Sequence, residues 1–303
     1  MPRAWCIAVL VIALGACRHG FDFTALDENG LEADAGPGFD STLGDAASAG
    51  DAPVDLGPWG TPQPIASLDL GQSYDDPTLT GDLLEIFFNA NDDIWVATRL
   101  DTAADWGMPV LVDGASGPDI DTTPEVSPDG LTMFLARDVG TGSDIYVTTR
   151  TARDSPWSDA TLVTELSDPV IPDTAGGVQG DLLEVVFTSG RDGYGRDIYL
   201  AGRSDPTDLW NQPQRLDAVN SALDEHNPFL DESGRTLYFD GDPDGDGDDD
   251  IYVATRSGPG APFSTPVRIA EVSSAENDSD AWVSRDGRYM VFSRGGVLYE
   301  VSR

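Results

Sequence analysis

Carboxylate oxygen is the one reactive group that this chain holds in quantity. It carries 54 Asp and Glu against 17 basic residues, all of them Arg, for a formal net charge of −37. With no lysine, neither a Schiff-base amine nor a phosphate-binding P-loop can be assembled. The two cysteines are Cys6 and Cys17, and the two histidines are His19 and His226. Beyond position 19 there is therefore no thiol nucleophile, no disulfide, no Cys-ligated zinc and no multi-histidine metal centre. A Ser-His-Asp triad would have to use His226, and no Gly-X-Ser-X-Gly elbow accompanies it. A chain this acidic repels phosphate backbones and anionic headgroups, which removes nucleic acid from the expected partners.

The carboxylates gather in two kinds of place. One is the loop Asp242-Pro-Asp244-Gly-Asp246-Gly-Asp248-Asp-Asp250. Asp alternating with Gly lets several hard oxygens converge on one ion, which is what Ca²⁺ requires. Its start matches an EF-hand loop, but the twelfth position is Val253, so the bidentate Glu is absent. The loop is either a non-EF-hand calcium site built on Asp242, Asp244, Asp246, Asp248 and Asp250, or a solvated acidic hairpin. The second place recurs along the chain: Asp75-Asp76, Asp121, Asp173, Glu225-His226, and Asp278 with Asp280.

What positions them is a repeat. An aromatic-led phrase returns at Trp59-Gly-Thr-Pro, Trp106-Gly-Met-Pro, Trp157-Ser-Asp-Ala, Trp210-Asn-Gln-Pro and Phe263-Ser-Thr-Pro, spaced by 47 to 53 residues. Such a period signals a repeat architecture. Each copy has a turn (Ser127-Pro-Asp-Gly130, Glu232-Ser-Gly234, Arg285-Asp-Gly287), then an apolar run such as Leu83 to Phe88 or Leu182 to Phe187. A third phrase follows: Asp93-Ile-Trp95, Asp144-Ile-Tyr146, Asp197-Ile-Tyr199, Asp250-Ile-Tyr252 and Val297-Leu-Tyr299. The runs are short and rich in β-branched and aromatic residues, so they read as strands, four to a unit. Four-stranded units repeated about an axis predict an all-β, five-bladed β-propeller over residues 59–303. The fifth copy stops after three strands, while residues 59–65 form an outer-strand phrase with no blade before it. This strand is expected to complete the last blade and close the ring.

The phrases resemble the TolB-type, WD-like propeller repeat of bacterial envelope proteins, most closely at Pro124 to Arg150, where Ser127-Pro-Asp-Gly130 and Asp144-Ile-Tyr-Val147 stand intact. Copies one and three replace the turn with Thr80-Gly-Asp82 and Gln179-Gly-Asp181. TolB-type proteins carry a further N-terminal domain where this chain has a low-complexity segment. The resemblance implies a non-enzymatic binding module of the cell envelope.

The N-terminus supplies an address. Arg3, the apolar stretch from Ala4 to Ala13, and Leu14-Gly-Ala-Cys17 match a bacterial lipoprotein signal. That stretch is too short to span a bilayer as a helix. The match implies cleavage before Cys17, acylation of its thiol and attachment through lipid alone, with Arg18 in the next position resembling an outer-membrane address. Residues 18–58 are dominated by Asp, Ala, Gly and Ser and read as a flexible acidic tether.

In a propeller the segment leading into each innermost strand meets the loop between the second and third strands around the channel mouth. Asp75, Asp76, Asp121, Asp173, Glu225, His226, Asp278 and Asp280 are thus expected either to form a ligand-binding mouth or to cap strands and turns. The expected protein is a monomeric envelope lipoprotein whose mouth binds a protein or other ligand, with no required cofactor and with calcium as the candidate ion for the Asp-rich loop. The alternative is a glycoside hydrolase or glycan binder, with Asp76 or Asp173 as base and Glu225 as acid.

Overall fold

A computed structural model describes residues 56–69, 71–193, 195–242, 245 and 247–303. The signal segment, Cys17 and the tether lie outside the described residues. Among the described residues there is no helix, and the strands form five four-stranded antiparallel sheets. The first strand, β1 (Gln63–Pro64), belongs to the last sheet. Blade 1 comprises β2 (Asp75–Leu79), β3 (Glu85–Ala90), β4 (Asp93–Thr98) and β5 (Val110–Leu111). Blade 2 comprises β6 (Ile120–Val126), β7 (Thr132–Asp138), β8 (Ser143–Thr149) and β9 (Thr161–Leu162). Blade 3 follows with β10 (Asp173–Thr174), β11 (Glu184–Ser189), β12 (Asp197–Gly202) and β13 (Gln214–Arg215), and blade 4 with β14 (Glu225–Leu230), β15 (Thr236–Gly241), β16 (Asp250–Thr255) and β17 (Val267–Arg268). Blade 5 has β18 (Asp278–Val283), β19 (Tyr289–Arg294) and β20 (Val297–Ser302), with β1 as its fourth strand.

The ring closes as the truncated fifth repeat demands. Gln63 pairs with Glu300 and Pro64 with Tyr299, flanked by bonds from Gly60 N to Ser302 O and from Ile65 N to Leu298 O, both 2.9 Å. The core lies between neighbouring sheets, where aromatic and branched side chains such as Phe87, Phe187, Phe292 and Ile145 are buried.

All five copies make the same turn after the innermost strand, including the two whose sequence departs. Gly130, Gly234 and Gly287 take left-handed φ values of 74°, 65° and 68°; Leu83 and Leu182 take 63° and 60° at the same position. Each of the five donates its N–H to the residue three before it at 2.8 Å. The apolar runs read as starting at Leu83 and Leu182 therefore start later as strands, at Glu85 and Glu184. A bulky residue at positive φ is strained, and here the surroundings over-determine it. An arginine ending each third strand donates Nε to the turn carbonyl: Arg99 to Leu83, Arg150 to Gly130, Arg203 to Leu182, Arg256 to Gly234 and Arg303 to Gly287, at 2.5–2.8 Å. The same guanidinium groups lie over Trp106, Trp157, Trp210, Phe263 and Trp59, 4.0–4.6 Å from the ring centroids. A planar, five-donor guanidinium can bond a carbonyl and stack on a ring at once, and an ammonium cannot do both as well.

Candidate functional site

The channel site grows from a defect repeated in the innermost strands. In blades 1, 2, 4 and 5 two inner-strand residues oppose one residue of the next strand, as Asp76 and Pro77 do between the Asp75–Asn89 and Thr78–Phe87 pairs. The second bulged residue is Pro77, Pro124 or Pro228, where proline has no N–H to give a ladder, and Ala281 in blade 5, which adopts the same bulge without a proline. The first, Asp76, Thr123, Asn227 or Asp280, takes φ of 51°, 44°, 46° and 58°. This twist aims each of the four side chains at the axis. In blade 3 the equivalent residues are Ala175 and Gly176. A Cβ on Gly176 would lie 2.6 Å from the Val186 carbonyl oxygen and 2.7 Å from that of Pro228, so only glycine lets blade 3 approach blade 4 this closely.

Asp76, Thr123, Glu125, Asn227 and Asp280 line a cavity of about 20 Å³ on the axis, walled elsewhere by Pro77, Pro124, Ala175, Gly176, Phe229 and Ala281. Asp75 and Asp240 adjoin it through contacts with Asp280. The carboxylates draw on backbone and amide donors across blade boundaries. Asp76 Oδ2 accepts from Thr123 N at 3.3 Å, and Asn89, with its amide nitrogen turned toward the acceptors, donates to the same oxygen at 2.6 Å. Asp240 accepts from Asp280 N at 3.0 Å and from Asn227 Nδ2 at 3.3 Å; Ser279 Oγ donates to Asp280 Oδ2 at 2.6 Å. Asp280, only 7% exposed, receives no backbone or amide donor at Oδ1 and shares hydrogen bonds with the carboxyl groups of Asp75 and Asp76. Among the described residues lining the cavity none is a cation.

Burial and mutual repulsion push these acids up. Asp75 rises to about 9 through burial and the charge of Asp280, Asp76 to about 8 through burial and Asp75, and Glu125 to about 8 through burial. Asp240 and Asp280 move well upward for the same reasons. His226, half-buried, is pushed down by burial and by Arg196, which favours its neutral form.

The eight residues expected at the mouth separate into two sets. Asp75, Asp76 and Asp280 meet at the channel; His226, on β14, does not line the cavity and feels Arg196, Asp249 and Asp224 instead. Asp121, Asp173, Glu225 and Asp278 occupy one column, two residues before the axis-facing position of each inner strand, and do not line the cavity. Asp121 accepts from Gly117 N (3.0 Å) and Arg137 Nε (2.5 Å), Asp173 from Asp168 N (2.5 Å) and Arg191 Nη2 (2.7 Å), and Asp278 from Ser274 N (2.6 Å) and Arg294 Nε (2.5 Å). Glu225 accepts from Ser221 N at 2.9 Å. These four bind the segment linking one blade to the next, and Asp173 and Glu225, read as a catalytic base and acid, are held in this way. In the Asp-rich loop Asp242 accepts from Gly245 N and Gly247 N, while Asp250 is buried against Arg268; Asp244 and Asp246 lie outside the described residues. Among the described residues no three carboxylate or imidazole groups form a ready metal cage.

Sequence reasoning missed Asp240, Glu125, Asn227 and Thr123. For Asp240 a signal existed: an acid directly after the buried run Leu237-Tyr-Phe239.

No family model and no curated protein matches the chain in sequence. Solved structures do match its fold. A structure assigned to TolB of Agrobacterium tumefaciens is 20% identical over 77% of this chain and 76% of its own, with a TM-score of 0.52. A thermostable family-43 glycoside hydrolase is 14% identical over 78% and 90%, at 0.55. An endo-arabinase from Bacteroides thetaiotaomicron is 14% identical over 79% and 95%, at 0.54. At such identities the likeness extends to the propeller fold, which TolB-like proteins and glycoside hydrolases share.

Proposed function

We propose that this protein is a non-enzymatic cell-envelope lipoprotein whose propeller binds a positively charged group of a partner protein or other ligand at the channel mouth. The observation that carries the reading is the meeting of Asp75, Asp76, Glu125, Asp240 and Asp280 around one small cavity with no cation lining it. Such a cluster gains most from an incoming positive charge, because that charge relieves both the burial cost and the repulsion. The lipobox and tether support an envelope location, as does the likeness to TolB.

The glycoside hydrolase reading has the neighbours in its favour and the geometry against it. Hydrolysis needs two carboxylates flanking a sugar ring. A cavity of about 20 Å³ holds roughly one water and not a ring. Glu225 and Asp173 are tied to backbone and arginine donors away from it.

The test is a crosslinking pull-down of the full lipidated chain in its native envelope, with and without a calcium chelator. A partner captured by wild type and lost in Asp76→Asn/Asp280→Asn supports the reading. Capture that is unchanged in the double variant overturns the channel mouth as the binding site. Hydrolysis of a polysaccharide panel that disappears in Glu225→Gln would restore the enzymatic alternative.

A further inference from the structure

Where blade 1 meets blade 5, an arginine faces an open cavity instead of the acid that two other seams supply. The arginine after a third strand reaches toward the first residue of the preceding blade's second strand. Arg150 meets Glu85 there, and Arg256 meets Glu184. Thr132 and Thr236 stand at that place opposite Arg203 and Arg303. For Arg99 of blade 1 the preceding blade is blade 5, and the residue is Tyr289 at the start of β19. Its hydroxyl donates to Glu300 Oε2 at 2.7 Å.

The cavity at this seam has a volume of about 400 Å³, within the range of small-ligand pockets, and shares no lining residue with the channel. Gln63 of β1, Ser302 of β20 and Thr102 of the loop after β4 line it together with Arg99, Tyr289 and Glu300. Gln63, Thr102 and Ser302 are exposed and Arg99 is partly so, which puts all four within reach of an incoming molecule. Arg99 Nε donates to the Leu83 carbonyl at 2.7 Å, the guanidinium lies over Trp106, and its charge reaches the Tyr289 hydroxyl. Those contacts hold the fork in place. Among the described residues Arg99 forms no ion pair.

The charges indicate which ligand. A fixed guanidinium without a carboxylate, beside a cavity, suits an anion with planar oxygens, and at two other seams of this ring the corresponding arginine binds such a group. One guanidinium balances one negative charge. Glu300 on the wall and the net charge of −37 work against a second. The exposed hydroxyls of Thr102 and Ser302 and the amide of Gln63 suit hydroxyl groups on the rest of the molecule. We propose that the seam between blades 5 and 1 binds a small hydroxylated monocarboxylate, whose carboxylate takes on Arg99 the place that Glu85 and Glu184 take at the other two seams.

The experiment is a ligand-observed NMR titration of the full chain at fixed ionic strength with lactate, gluconate and galacturonate. Lactamide and galactose serve as neutral counterparts, and succinate and phosphate as more highly charged ones. The expected result is saturable binding of at least one of the monocarboxylates, tighter than that of the neutral compounds. Arg99→Lys keeps the charge but loses the fork, and should weaken that binding roughly tenfold. Tyr289→Glu supplies the carboxylate found at the other two seams and should abolish binding by occupying Arg99. Arg285→Gln removes an arginine that is 82% exposed and lies away from the cavity, and should leave binding unchanged. Failure of every monocarboxylate, equal binding of the neutral compounds, or tighter binding of succinate or phosphate would each overturn the proposal. So would full binding retained in Arg99→Lys or in Tyr289→Glu, and equal weakening in Arg285→Gln would reduce the effect to diffuse attraction and overturn it too. Circular dichroism confirms that each variant is folded, and Arg99→Lys carries the test if Tyr289→Glu is not.

Discussion

The acids at the channel should make stability depend on pH in the direction opposite to that of an ion-paired carboxylate. Asp75, at about 9, and Asp76 and Glu125, at about 8, hold protons in the fold that the unfolded chain releases near pH 4. For a raised value the stability is fully present below the unfolded value and is lost as pH rises through the folded one. The melting temperature of the full chain, followed by circular dichroism at fixed ionic strength, should therefore fall between pH 5 and pH 9. A melting temperature rising across that window would contradict the cluster. Asp280→Asn keeps the shape and removes one acid, so it should raise the melting temperature at pH 8 and flatten its pH dependence. In a domain of this size each ~1 kcal/mol gained moves the midpoint by ~2–4 °C.

Among the elements, the arginine after each third strand joins turn and aromatic phrase, and in blades 2 and 4 it also joins the neighbouring blade. Arg150 reaches from blade 2 to Glu85 of blade 1 at 2.5 Å, and Arg256 from blade 4 to Glu184 of blade 3. Arg256 is 8% exposed, so removing it leaves Glu184 as a largely buried acid without its partner. Arg256→Ala should cost roughly 3–5 kcal/mol. Arg153→Ala breaks a more exposed pair with Asp82 and should cost at most ~1 kcal/mol. Urea titration of both variants tests this contrast, and equal losses would mean that the interblade pair contributes little.

At the scale of the whole ring, closure rests on the contact of the chain's last residue with its first outer strand. Arg303 lies 4.0 Å from the Trp59 ring centroid, and Trp59 is itself buried. Trp59→Ala should destabilise by roughly 3–5 kcal/mol. Replacing Gln63-Pro-Ile65 by a Gly-Ser stretch should leave β20 as an open edge, able to pair with a second copy. Light scattering after gel filtration should then report species larger than those of the parent chain; a variant that keeps the parent's size would show that β1 is dispensable for covering the edge.

The architecture was legible because it is written locally and five times. The turn, the apolar run and the Asp-Ile-Tyr phrase each lie within a few residues, and the spare outer strand at Trp59 matches the missing one at Arg303. Even the departing turns at Leu83 and Leu182 kept their geometry, which tertiary packing imposed where the sequence lacked glycine. The channel was legible only in part. Asp75, Asp76 and Asp280 stood out as acids before an inner strand, but so did Asp121, Asp173, Glu225 and Asp278. What divides the two sets is position relative to a bulge, which turns the bulged residue toward the axis while the residue two before it faces blade-linking amides and, in three of its four members, an arginine. Asp240 and Glu125 join the cluster from different strands of different blades, and only the radial arrangement of the sheets brings them together. By itself the sequence determined the strands and the closed ring, because those follow from local periodicity. The tertiary structure alone decided which carboxylates share one buried space, because that depends on where distant strands meet and which faces they turn inward.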